Sequence, residues 1–526
     1  MTAHPAAPPG QHSTQVARAI CDLLQCHRPP HQSPPCRLLL ISNNPDTPQT
    51  LRLRPHLTAA GHEVRHHTPE EARAAAAASA DRWQGLLFPD GLCDLDPFEL
   101  FDLSDSSGWL SHLLDASGEL LIAAPFRPPC TTHAAHPPPN LPVLDYFLRL
   151  AGRCGFALLS QRSLGNAAPP TASGENDQGA LFLLHLRRQQ PPRWWPGRMN
   201  AAHQDEMRTL FATVFGHDMS QAHWQWKYGD GRGVGIGVWQ NEQPAQSPPR
   251  LIAHYGGISR DICYFGQPAR ALQCCDVMVA DRGRATLSRH GPLFLATATC
   301  LEHDLGYGTP HLVGFGFPNL RAYRLPEKLG LYAPVGRMVD VCWPALNQRP
   351  GLRLAVRPLN IDDPRSDERM NACWAAMQAS LDTYIVGVRD ARYLRHRYFA
   401  HPDKTYQCYI VQHRFSGAPL GLLVLRLQDK DGPGGAAPHA ELLDLIGPRT
   451  ALPVLIHHAR RIAARQGCAD LHAWLSDNLI PLLQLPPEAS ITDLAIHIPA
   501  NVWSAGPDIA TQRDRWWLTG GDTDFR

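Results

Sequence analysis

The chain has 526 residues, 44% of them apolar and 18% charged, with 49 Lys and Arg against 48 Asp and Glu. At roughly 100–200 residues per domain the length excludes a single core, and the apolar share excludes a mostly disordered chain. A formal charge of +1 leaves no electrostatic footprint for nucleic acid or an anionic membrane surface, so neither is an expected partner.

Residues 1–36 are Pro-rich and read as a flexible lead without the charged and apolar regions of a secretory signal. From 37 the pattern alternates. Strand-like runs at 37–42, 61–64, 84–88 and 119–125 precede a helical stretch at 144–154, in which Leu144, Phe147, Leu148, Ala151 and Cys154 share one face, and then a strand at 156–159. That succession predicts a parallel α/β sheet over 37–188, ended by a Pro- and Trp-bearing linker at 189–198. Beyond His203 the order becomes helix, paired strands at 233–239, 251–259 and 271–279, a helix near 291–304, a strand at 311–317 and a short helix ending at 328–331. Fourteen cysteines contain no C-x-x-C, and no run approaches 18 apolar residues, so a reduced, cytoplasmic protein is expected.

The first region resembles the class I S-adenosylmethionine-dependent methyltransferases through residues 113–125, 145–156 and 180–187. The resemblance implies a Rossmann-like fold, but the cofactor residues are missing. Residues 41–47 hold no glycine to let backbone approach a ligand, and Val64 is followed by Arg65, His66, His67 and Thr68 instead of a ribose-binding carboxylate. A degenerate domain that binds no S-adenosylmethionine and serves for docking is therefore expected.

Residues 199–346 resemble the GNAT superfamily of acyl-CoA-dependent N-acyltransferases. The match rests on Asp276, Val277 and Val279, on Arg282, Gly283 and Arg284 leading to Gly291, and on Asn319 followed by Ala322, Lys328 and Gly330. The resemblance implies that the backbone of Val277 and Val279 pairs with the pantetheine arm of acetyl-CoA or another acyl-CoA. Arg282, Gly283, Arg284 and Gly291 would then cradle its pyrophosphate. Asn319 would stand on the thiolate side. Where the family places a tyrosine acid this chain has Pro326, so Tyr323, one turn earlier, takes that role by expectation. Asp276, Glu302 and His254 are candidates for the base.

A second, degenerate copy follows over 352–526. Arg397-Tyr398, Asp444 and Asn478 repeat Lys227-Tyr228, Asp276 and Asn319 in order, and the Tyr-to-Asp spacings are nearly equal. No glycine stands at 448–453, so this copy is expected to bind no CoA and to shape the pocket of the first or pair with it. The ending at 516–526, with Trp516, Trp517, Asp522 and Asp524, reads as a docked segment that either completes a sheet or binds a polar acceptor.

Trp224, Trp226 and Tyr228 read as packing. The pairs His66/His67, His133/His136 and His457/His458 lack placed partners, so no metal is expected. The resulting expectation is an α/β protein that moves an acyl group, acetyl foremost, from acyl-CoA to an amine of a small molecule or sugar precursor. A non-catalytic scaffold is the first alternative and a methyltransferase the second.

Overall fold

The computed structural model describes all residues except 1–8, 27–35, 79–81, 91, 93–94, 102–111, 127–141, 167–179, 191, 241–248, 282–287, 350 and 429–437. The chain is a mixed α/β protein that divides into two compact units. One comprises Met1–Leu210, Gly235–His254 and Met278–His303, the other Phe211–Val234, Tyr255–Val277 and Asp304–Arg526. No helix among the described residues is long and apolar enough to cross a membrane.

In the first unit β1 (Arg37–Ile41), β2 (Glu63–His67), β3 (Trp83–Phe88), β4 (Leu114–Phe126), β5 (Phe156–Asn166) and β6 (Ala180–Arg188) form one sheet in the order β2-β1-β3-β4-β6-β5. The first four strands run parallel, and β6 lies antiparallel between β4 and β5. β1 buries Leu38, Leu39, Leu40 and Ile41 on both faces, the continuous apolar run that a central parallel strand requires. Two expectations are corrected here. Pro9–Cys26 within the supposed flexible lead is a helix whose Val16, Ile20 and Leu23, spaced four and three residues apart, pack in the core with Leu38, Leu40 and Leu53. The supposed linker contains a strand, β7 (Trp194–Arg198), antiparallel to β8 (Gly233–Gln240).

The second unit holds most of β9 (Arg250–Tyr264) and β10 (Gln267–Val279), then β11 (Val313–Gly316), β12 (Tyr332–Pro344), β13 (Leu354–Pro358), β14 (Ile385–Gly387), β15 (Gln407–His413), β16 (Pro419–Gln428), β17 (His439–Ile446), β18 (Asp470–Ser476), β19 (Ser490–Asn501) and β20 (Trp516–Trp517). They are ordered β11-β10-β9-β14-β20 and β13-β15-β16-β17-β18-β12-β19. The stretches 199–346 and 352–526 therefore do not form separate sheets. β12 from the first sits between β18 and β19 of the second, while β14 and β20 extend the sheet of β9 to β11. β12 buries Val339, Val341 and Trp343 in one core and Val335 and Met338 in another. A strand with two apolar faces needs cover on both, which a central position supplies.

Candidate functional site

β10 and β11 run parallel and pair from Ala271↔Val313 to Cys274↔Gly316, where the ladder stops. Two residues later Asp276 adopts φ 46°, a left-handed conformation that aspartate tolerates better than most residues, and β10 bends there. On the β11 side Asn319 caps the Leu320–Lys328 helix, its Oδ1 accepting the Ala322 N–H at 2.9 Å. The divergence opens a cavity of about 570 Å³, walled by Cys274 to Val277 on one side and by Gly316 to Asn319, Ala322 and Pro326 on the other. Phe211, Phe215, His223, Asp403 and Lys404 complete much of the rest. Such a volume accommodates a ligand of cofactor size.

At the bend, Lys227 Nζ lies 2.7 Å from Asp276 Oδ1 and 2.6 Å from Asp524 Oδ2, while the Tyr228 hydroxyl donates to Asp276 Oδ2. Lys227 is 3% exposed. Burial opposes its charge, but the two carboxylates outweigh that and hold its pKa above the usual lysine range. Burial, reinforced by Asp276, likewise pushes the Tyr228 phenol well up. Cys275, Asp276 and Asp524 together are metal-type ligands, yet the Lys227 ammonium already supplies the cation among them. A smaller cavity of about 140 Å³, lined among others by Gln273, Arg260 and Arg392, also has Lys227 and Asp524 in its wall. Lys227 and Asp524 therefore border both cavities.

Several expected site residues come together and others do not. Val277, 40% exposed, and Asn319 line the large cavity. Tyr323 does not. It is buried against His497 with ring centroids 5.0 Å apart, and burial, then Glu327, raises its pKa. The helix turn explains this: Ala322 and Pro326, four residues apart, share the cavity face, and Tyr323 is rotated off it. Val279 and Gly291 belong to the first unit, where the Gly291 N–H donates to Ser288 O at 2.9 Å. Arg282, Gly283 and Arg284 lie outside the described residues. Among the base candidates, Glu302 is excluded because it is buried in the first unit with Arg153 and Arg149 on its carboxylate. His254 is buried in that unit as well, and neither lines the cavity.

Sequence reasoning missed a dyad on the cavity wall. His223 Nδ1 lies 2.5 Å from Asp403 Oδ2, an arrangement that orients the ring and leaves Nε2 as the nitrogen able to take a proton. His223 precedes the aromatic cluster read as packing, and its partner is 180 residues away, so no local spacing signals the pair. Lys404 is the second omission. Burial, then Arg426 and Arg397, lower its pKa to about 8.

The expected duplication has a geometric counterpart. Tyr398 donates to Asp444 Oδ2 at 3.0 Å, as Tyr228 does to Asp276. β17 and β18 pair in parallel at only Ala440↔Leu471 and Glu441↔His472, and β17 bulges near Leu443. Here the chain's own segment enters the gap. Thr519 bridges to Leu475, and Gly521 sits where a Cβ would lie 2.1 Å from the Tyr398 hydroxyl and 2.9 Å from Leu443 O, so only glycine fits. Asp522 is held by Arg389 and Arg260, while Arg397, in the position matching Lys227, donates to Gly521 O and Thr523 O. The ending thus completes a sheet through β20 and fills the second gap.

No family model and no curated protein matches the chain. Solved structures with partial likeness include a conserved protein of unknown function from Enterococcus faecalis V583, named a probable N-acyltransferase, at 13% identity and TM-score 0.44 over 60% of this chain and 73% of that one. A GCN5-related N-acetyltransferase from Kribbella flavida is 17% identical with TM-score 0.41, covering 58% and 70%. N-myristoyltransferase from Saccharomyces cerevisiae, with bound myristoyl-CoA, is 10% identical with TM-score 0.38, covering 66% and 85%. At these TM-scores the likeness assigns no family to this chain.

Proposed function

We propose that this protein transfers an acyl group from acyl-CoA to an amine, with the thioester held in the cleft between β10 and β11. The observation that carries the reading is that cleft: a parallel pair that parts at a left-handed aspartate and leaves one side of β10 without its β11 partner over Cys275 to Val277. An extended amide-bearing arm can add to such an edge as a strand would. In the reaction a neutral amine attacks the thioester carbonyl; the C–N bond forms, the C–S bond breaks, and the thiolate leaves and takes a proton from solvent water. His223, oriented by Asp403, accepts the proton that the amine sheds. Lys227, clamped between Asp276 and Asp524, has its charge balanced by them and ties β10 to the chain's ending at the cleft wall. The acceptor is a small-molecule amine, since the cavity holds about 570 Å³ in all.

The test uses the full chain: calorimetric titration with acetyl-CoA and with longer acyl-CoAs, then release of the CoA thiol in the presence of a panel of amines. Saturable acyl-CoA binding with amine-dependent thiol release is expected. Absence of binding by every acyl-CoA tried would overturn the reading.

A further inference from the structure

A second cluster lies on the β12–β18 sheet, apart from the cleft. Cys342 on β12 stands directly opposite His472 on β18 in the antiparallel register, with Asp340↔Trp474 and Pro344↔Asp470 two residues to either side. Alternation along a strand puts Asp340, Cys342, His472 and Asp470 on one face. The His472 ring is held between two carboxylates, Nδ1 at 2.8 Å from Asp340 Oδ2 and Nε2 at 3.4 Å from Asp470 Oδ1. Cys342 Sγ, an Asp470 oxygen and a His472 nitrogen lie within 4.8 Å of one another. Oδ1 of Asp340 is buried without a hydrogen bond, which costs free energy unless something else meets it, and Oδ1 of Asp470 makes no hydrogen bond beyond its 3.4 Å ion-pair contact with His472 Nε2. From the neighbouring strand β17, His439 brings its ring centroid to 5.2 Å from that of His472.

We infer that Cys342, His472 and Asp470 bind a zinc-type divalent cation, with His439 as the fourth donor. One thiolate, one carboxylate and two neutral imidazoles balance a 2+ charge. A borderline sulfur, nitrogen and oxygen set suits zinc or cobalt and disfavours magnesium or calcium. Tetrahedral ligands of zinc sit roughly 3.5 Å apart, so the spacing of the Cys342, Asp470 and His472 atoms needs only rotamer adjustment, and the His439 ring must turn toward them to complete the set. Asp340 is the positioning residue. By accepting the Nδ1 proton of His472 it presents Nε2 to the cation, the role carboxylates have behind metal-bound histidines. The site ties together strands whose ligands are 130 residues apart in sequence, which is why no spacing motif announces it.

The full chain, stripped with a chelator, is titrated with Co²⁺, then with Zn²⁺ as competitor. One equivalent of cobalt is expected, with tetrahedral d–d bands and a thiolate-to-cobalt charge-transfer band, and zinc should displace it and raise Tm. Cys342→Ser should lose the sulfur band at an unchanged metal-free Tm, and His472→Gln should lose the stoichiometric binding. Asp340→Asn should keep the cobalt spectrum while weakening affinity by roughly 10–100-fold, an effect that a purely structural role would not produce. Cobalt binding without a sulfur band, or binding unchanged in Cys342→Ser and His472→Gln, would overturn the assignment.

Discussion

The protein contains the same device twice and uses it in opposite ways. In both places a tyrosine follows a basic residue and donates to an aspartate on a distorted strand, and that strand parts from a parallel neighbour after two to four paired residues. Between β10 and β11 the gap remains a cavity, and Lys227 spends its charge on Asp276 and Asp524. Between β17 and β18 the gap is filled by 519–523, and Arg397 spends its donors on that segment's carbonyls. A parted strand pair is thus a vacancy that a ligand or the chain itself can occupy, and the local residues alone do not say which.

The comparison breaks most sharply at the chemistry. His223→Ala should lower turnover by roughly 10²–10⁴-fold with acyl-CoA affinity unchanged, because one positioned base is lost. Tyr398→Phe, in the filled gap, should leave turnover alone. Steady-state thiol release for both variants checks this, and an equal loss in the two would mean the gaps have been assigned the wrong way round.

Next in size is the ion pair that anchors the filling segment. Arg389 is fully buried between Asp444 and Asp522. Asp522→Ala leaves that guanidinium with one carboxylate in place of two and should cost about 3–5 kcal/mol in denaturant unfolding, the range for a broken buried pair. Asp524→Ala should cost less, since Lys227 keeps Asp276 and the site borders a cavity that water can enter.

A smaller effect separates the gaps by occupancy. Ala322→Trp projects into the open cavity and should weaken acyl-CoA binding by at least roughly tenfold, about 1.4 kcal/mol, with little change in Tm. Calorimetric titration of the variant decides it.

The smallest is a pH dependence. Lys404 titrates at about 8 in the folded chain, below the ~10.4 of an unfolded lysine. Between those values the unfolded state binds the proton that the folded state has released, so this group makes stability rise with pH across that window. Lys404→Met should remove that contribution, visible as a flatter dependence of Tm on pH between about 8 and 10.

Part of the fold was legible in the sequence because β1, β3 and β4 carry runs of apolar residues and the stretch at 144–154 has an apolar face; both are local properties of the chain. The Tyr–Asp repeat was legible for the same reason, as a spacing. The helix at Pro9–Cys26 was hidden by the prolines around it, and β12 by the Pro334, Gly336, Arg337 and Asp340 interspersed among its apolar residues.

By itself the sequence determined the parallel strands of the first sheet, the repeated Tyr–Asp spacing, and Val277 and Asn319 as candidates for one site. Only the tertiary structure decided that β12 and β14 trade sheets, that Tyr323 turns away, that His223 meets Asp403, and that 519–523 occupies the second gap. The physical reason is range: hydrophobic period and helix phase act over a few residues, whereas these four outcomes depend on which distant surfaces find cover or an opposite charge once the cores close.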